Sequence, residues 1–205
     1  MRSELVRIHR EVAVTMVFVT HDQEEAMAIA DRIAVMNQGE LIQVGPPLDL
    51  YRRPRNLWVA RFVGAHPINV LAGHLDEAAP RVHFDEGGWS IDLPPDMASR
   101  WRSQLALPEI FVGVRPEHLT VTTDGVPEPG QIAGEIYTRQ ILGTAILYEL
   151  KVGDRLLRSV LPTSQLFEVG QPVRVGFDWH DALVFDRQTE AAMASPGSGL
   201  GSTTG

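Results

Sequence analysis

His21 stands between two unlike stretches, and its surroundings are the first place where this chain could do chemistry. Residues 14–19 read VTMVFV, apolar apart from one threonine, and residues 22–25 read Asp-Gln-Glu-Glu. A strand running into a helix start puts the residues between them at a sheet edge, where α/β folds bind ligands. Unpaired N–H groups and the positive dipole end of the helix favour anions there. One imidazole nitrogen can then donate to a phosphate oxygen while the other is held by its neighbours. Asp22, Glu24 and Glu25 partly oppose an anion, although they stabilise a helix start. Spacing alone leaves His21 open as a catalytic group, a ligand contact or the polar end of a buried strand.

Other polar groups offer less. Glu24 and Glu25 are adjacent helix residues pointing about 100° apart, so an acidic first turn accounts for both without a general base. His66, His74, His83 and His180 are scattered, without an i, i+4 pair, and no metal site is expected. The chain has no cysteine, which excludes disulfides and thiolate zinc sites and suits the cytoplasm. Residues 197–202 (GSGLGS) imitate a phosphate loop, but they follow no strand, open no helix and contain no lysine.

Composition narrows the partners. The 205 residues are 44% hydrophobic and 21% charged, enough for one or two small cores. Over residues 1–63 eight Arg balance eight Asp and Glu, so the net charge of −8 lies in the remainder. Phosphate-backbone binding needs clustered cations, and this acidic part offers the reverse, so nucleic acid is not expected as a partner. No apolar run approaches the ~20 residues that span a bilayer.

The elements that must position His21 follow from periodicity. Residues 2–11 place Leu5 and Ile8 on one face of a helix, and residues 14–19 read as a strand buried on both faces of a parallel sheet. Asp22 and Glu25 fit the N-cap and N3 positions of a helix with Ala26, Met27, Ile29 and Ala30 as its apolar stripe. Residues 32–36 and 40–44 form a hairpin through Asn37-Gln38-Gly39. Pro46-Pro47 opens a short helix stopped by Arg53-Pro54, and Asn56 caps another. Residues 1–63 are therefore expected as a piece of an α/β domain. From residue 64 nine short runs of β-formers (68–75, 82–84, 110–114, 119–122, 132–142, 145–152, 156–161, 173–177 and 182–185) favour a small barrel or sandwich. Residues 98–104 allow one helical turn, and the Gly/Ser-rich end is expected to be a disordered tail.

Residues 19–27 (VTHDQEEAM), followed by 30–36 (ADRIAVM) and 39–45 (GELIQVG), resemble the switch-histidine region of ABC transporter ATPases. The resemblance is closest to the sugar-importer subfamily that includes the maltose transporter's ATP-binding subunit. It continues through 47–51 (PLDLY), Pro54, 59–64 (VARFVG) and Asn69, then reappears at 112–119 (VGVRPEHL), 142–143 and 177–185. The resemblance implies the C-terminal part of an ATPase domain over residues 1–63. It also implies an OB-like, TOBE-type regulatory barrel over 64–187, α+β overall; residues 188–205 lie beyond the resemblance and are the expected disordered tail. It implies that His21 is the switch histidine, contacting the γ-phosphate of ATP and positioning the attacking water. Arg115, Glu117 and His118 match the barrel motif, where a turn held by a salt bridge or capping bond is the simpler role. The implied cofactors are ATP and Mg²⁺. The implied partners are a second ATP-binding subunit, transmembrane permease subunits and, indirectly, a solute-binding protein, with a place on the cytoplasmic face of the membrane.

The departures weigh against independent activity. There is no G-x-x-x-x-G-K-[ST], and Lys151 is the only lysine. The family's signature loop and catalytic glutamate strand would precede residue 1, so Met1 is expected to be an internal methionine of a longer ATPase. Without the phosphate loop nothing in this chain cradles the β- and γ-phosphates, and it is not expected to hydrolyse ATP alone. The rival reading is a non-catalytic module, a barrel binding a partner or ligand with a structural α/β stub.

Overall fold

The computed structural model describes residues 14–104, 108–123 and 130–193, together with Arg7 and Glu11, and the chain divides into two units, 1–65 and 66–205. In the first unit, α1 (Gln23–Ile29) leads to an antiparallel hairpin of β1 (Ile33–Asn37) and β2 (Glu40–Gly45), then α2 (Pro47–Arg52) and α3 (Leu57–Phe62). The hairpin turns on Gln38 and Gly39, with φ of 49° and 86°. Two consecutive left-handed residues match the strands' twist, which explains glycine at the second position. Pro47 starts α2, and the Asn56 side chain caps α3 by accepting from the Val59 N–H at 2.9 Å. Gln43 on β2 fastens the connection between these helices: its amide donates to the Arg53 carbonyl at 3.0 Å and accepts from the Arg55 N–H at 2.7 Å. Val35, Leu50, Val59 and Val63 form a small core, with Met27, Tyr51 and Trp58 packed against it.

Two expectations for this unit need correction. Residues 14–19 form no strand and are not buried: Phe18 is 57%, Val17 90% and Val19 91% exposed. A strand buried on both faces needs neighbours to accept its backbone bonds and cover its side chains. No described residue pairs with this segment, so its sequence is strand-like but its surroundings are not. The apolar stripe of α1 likewise contributes no fully buried residue. Of the helix expected over 2–11, Arg7 and Glu11 are helical and joined by an i, i+4 ion pair at 2.5 Å. The other positions lie outside the described residues.

The second unit is built almost wholly from strands. One sheet has the order β10-β9-β8-β11-β7 and the other β12-β6-β3-β4-β5, every adjacent pair antiparallel. The strands are β3 (Asn69–Leu75), β4 (Arg81–Phe84), β5 (Ser90–Asp92), β6 (Glu109–Val114), β7 (Leu119–Thr122), β8 (Ile132–Ile141), β9 (Ala145–Val152), β10 (Arg155–Pro162), β11 (Pro172–Phe177) and β12 (Leu183–Asp186). Burial alternates along β3 and β9, and the inward residues of both sheets share one core with Met97, Ala98 and Trp101 of helix α4 (Pro95–Gln104). The curled sheets enclose this core in the manner of an OB-type barrel.

All nine expected strands form. β5 escaped the reading because three residues flanked by Trp89 and Leu93 carry too short a pattern. Its place is held by Arg81, which bonds Asp92 at 2.6 Å, and by the Trp179 indole, which donates to the Asp92 carbonyl at 2.8 Å. Helix α4 is longer than the single turn expected. Pro95 at its first position and Asp96 in its first turn were the available signal. Part of the expected tail is also structured: Ala192 bridges to Phe185, the Met193 N–H donates to the Val184 carbonyl at 2.8 Å, and Met193 is buried. The remainder, 194–205, lies outside the described residues. No helix among the described residues is long and apolar enough to cross a membrane.

Candidate functional site

Three side chains tie the loop that carries His21. The Asp22 carboxylate accepts from the Glu25 N–H at 3.0 Å and so caps α1. The Glu25 carboxylate accepts from the Thr20 hydroxyl at 3.1 Å, and that same hydroxyl oxygen accepts from the Asp22 N–H at 3.0 Å. A capping box would send the Glu25 carboxylate directly to the Asp22 N–H. Here Thr20 stands between them, and the closed ring runs around the backbone of His21. The His21 side chain itself is exposed. Glu25 is therefore used in holding the turn, as its sequence position suggested.

The start of α1 offers an anion little besides His21. The helix has only seven residues, one of its first N–H groups is committed to Asp22, and Glu24 and Glu25 lie in its first turn. What remains is an imidazole presented to solvent on a fixed loop, able to donate to or accept from a group brought to it. One residue beyond the cap, the Gln23 side-chain oxygen accepts from the Gly64 N–H at 2.9 Å, across 41 residues of sequence.

The motif residues of the β unit are kept apart by burial. Arg115 is 2% exposed and precedes the 3₁₀ turn Pro116–His118, and burial pushes its guanidinium down to about 10. Its backbone carbonyl accepts from the His118 N–H at 2.9 Å, closing the turn. Glu117 is exposed and His118 half-buried, its Nδ1 buried and without a hydrogen bond among the described residues. These three residues share a turn but present no common open surface.

Sequence reasoning missed two arrangements in this unit. Asn69, buried at the start of β3, exchanges two bonds with the Arg158 backbone of β10: its amide donates to the carbonyl at 2.8 Å and its oxygen accepts from the N–H at 2.7 Å. It also donates to the Val114 carbonyl at 3.1 Å. A side-chain amide thus imitates a strand pair where the two sheets meet. Arg155 adds a second tie, to Glu86 and to the Val70 carbonyl. The second arrangement joins His74 and His83, which stand opposite each other on β3 and β4 with rings stacked at 5.3 Å. Asp76 accepts from His83 Nε2 at 3.0 Å, and Asp85 lies 3.8 Å from His74 Nδ1 and 2.6 Å from Arg187. The His83 bond, with the Ala79 and Ala78 N–H groups, holds the Asp76 carboxyl well below the usual carboxylate range. Strand register made this pair, and no i, i+4 rule could have found it. Among the described residues no group of three or more His, Asp or Glu is placed to hold a metal ion.

Comparison with known proteins adds a second line of observation. Residues 112–185 match the TOBE domain family. The chain is 31% identical over 199 residues to the uncharacterized ABC transporter ATP-binding protein YurJ of Bacillus subtilis (strain 168), covering 94% of this chain and 53% of that protein. It is 35% identical over 196 residues to the sn-glycerol-3-phosphate import ATP-binding protein UgpC of Pectobacterium atrosepticum, covering 94% and 52%. It is 33% identical over 198 residues to the maltose/maltodextrin import ATP-binding protein MalK of Aliivibrio fischeri, again covering 94% and 52%. The chain spans about half the length of the curated relatives it matches.

Proposed function

We propose, from the premise that this chain belongs to the ATP-binding proteins of ABC importers and matches their C-terminal part, that it serves in coupling ATP hydrolysis to uptake of a carbohydrate-type solute. The observation that carries the reading is the similarity to named import ATP-binding proteins over 94% of the chain, running through the His21 loop and the barrel alike. The names of those relatives, for maltose/maltodextrin and sn-glycerol-3-phosphate, support a sugar, polyol or glycerol phosphate as solute. On this reading residues 1–63 are the end of a nucleotide-binding domain and residues 64–187 a regulatory β domain. Two such subunits meet at ATP, and permease subunits hold them at the cytoplasmic face of the membrane.

His21 is the residue of this chain that acts at the nucleotide. Its exposed ring donates to a γ-phosphate oxygen and orients the attacking water, and the Thr20–Asp22–Glu25 ring keeps it there. The described residues do not fit a Mg²⁺ site, so no metal contact is assigned to them. Glu24 and Glu25 are not bases in this scheme. In the complete subunit, His21→Ala lowers ATP turnover by at least about 100-fold while leaving nucleotide binding within a few-fold. Normal turnover in that variant would falsify the switch role.

A second reading, a non-catalytic β module with an α/β stub, draws support from the self-contained core of the β unit. In-frame coding sequence upstream of Met1 separates the two. A phosphate loop and an acid-ended strand there support the importer; their absence supports the module.

A further inference from the structure

We infer that Gln23 is a positioning residue, which ties the His21 loop to the segment of chain leading into the β unit. The inference rests on the reading of His21 given under Proposed function. Two contacts of α1 join the loop to the rest of its unit. Gln23 and Met27 lie four apart on one face of α1. Met27 packs against the core of Val35, Leu50, Val59 and Val63, and the Gln23 oxygen accepts from the Gly64 N–H at 2.9 Å. The Gln23 bond reaches the end of α3, since Val63 is its C-cap and Gly64 the next residue.

Gly64 makes this contact specific. Its φ of 137° lies where side chains other than glycine are strained, so the chain can turn sharply just after the N–H that donates to Gln23. The unit ends at Ala65, one residue further. A displacement of the chain at residues 64–66 therefore pulls on Gln23, two residues from His21. A displacement of the His21 loop is passed to the linker in return, as coupling between two sites requires. Gln23 does not touch the reacting atoms in this scheme; it sets where His21 sits.

The test has an arm on the chain itself and an arm on the complete subunit. In the ¹⁵N-labelled chain, Gln23→Leu accelerates exchange of the Gly64 amide about tenfold and shifts the His21 amide, while the β1–β2 amides stay unchanged. Gln23→Ala gives the same result where leucine disturbs packing, and Gln23→Glu, which keeps an acceptor oxygen, restores Gly64 protection. An unaltered Gly64 exchange rate, or a His21 signal that stays in place, overturns the proposal. In the complete subunit Gln23→Leu lowers kcat several-fold with the KM for ATP unchanged. Equal kcat in variant and parent overturns the proposal, as does a loss confined to KM. His21→Ala run alongside separates the failures. If that variant keeps normal turnover, the functional reading falls; if it is inactive while Gln23→Leu is normal, only the positioning role falls.

Discussion

Asn69 concentrates the difference between a residue's type and its job. In the sequence it is one asparagine opening a run of β-formers; in the fold it supplies three hydrogen bonds at the junction of two sheets. Asn69→Ala leaves the buried Val114 carbonyl and the part-buried Arg158 N–H and carbonyl without that partner, and the expected loss is about 1–3 kcal/mol in urea unfolding of the β unit. Asn69→Asp keeps the acceptor but loses both donated bonds, and is expected to lose at least as much. Asp76 gives a pH-dependent prediction. Its carboxyl is lowered in the fold by the His83 bond first and by the Ala79 and Ala78 N–H groups next. A depressed carboxylate contributes stability that is complete above its unfolded value of 3.8 and is lost as pH falls toward the folded value. The β unit should thus weaken below about pH 4. Asp76→Asn should flatten that part of the profile, as followed by thermal unfolding from pH 6 to pH 2.5.

At the scale of elements, the departure at residues 14–19 is the most instructive. Local composition is strongly strand-forming, and the hairpin, α2 and α3 further along the chain were all legible from turn and capping residues. Those signals are local: Gln38-Gly39 needs two left-handed residues, Pro47 a helix start, and Asn56 an N-cap oxygen. A buried strand, by contrast, is defined by its neighbours, and the described residues provide none. An exposed apolar strand-like segment invites pairing with another chain. The expected outcome is concentration-dependent association of this chain, which Val17→Lys with Val19→Lys suppresses in light scattering. Because both side chains are about nine-tenths exposed, the double variant should change unfolding stability by less than about 0.5 kcal/mol per site. A loss well beyond that, or undiminished association, would show that the segment is packed after all.

Over the whole molecule, the two units differ in how much of their architecture they contain. The β unit closes its own core from two sheets and a helix, with Tyr148, Trp101 and Phe185 fully buried. Among the described residues the first unit has a small core around Val35, Leu50, Val59 and Val63, and an exposed apolar segment at 14–19. The candidate site follows the same division. His21 was legible as a candidate from the change in texture around it, and the role proposed for it rests on the resemblance of the flanking motif. The ring through Thr20, the Gln23–Gly64 bond and the burial of Arg115 were not legible.

Sequence by itself determined most of the elements of this protein, because helix caps, left-handed turn positions and two-residue alternation are properties of a few neighbouring residues. It did not determine the state of residues 14–19, β5 or the length of α4. Tertiary structure alone decided which strands face one another, and so that His74 meets His83 and that Asn69 joins two sheets. It decided too that the apolar run before His21 is exposed among the described residues, and that Gln23 bonds to Gly64 across 41 residues. The physical reason is range: backbone preference acts over a turn or two, whereas burial and hydrogen-bond partners depend on segments far apart in the chain.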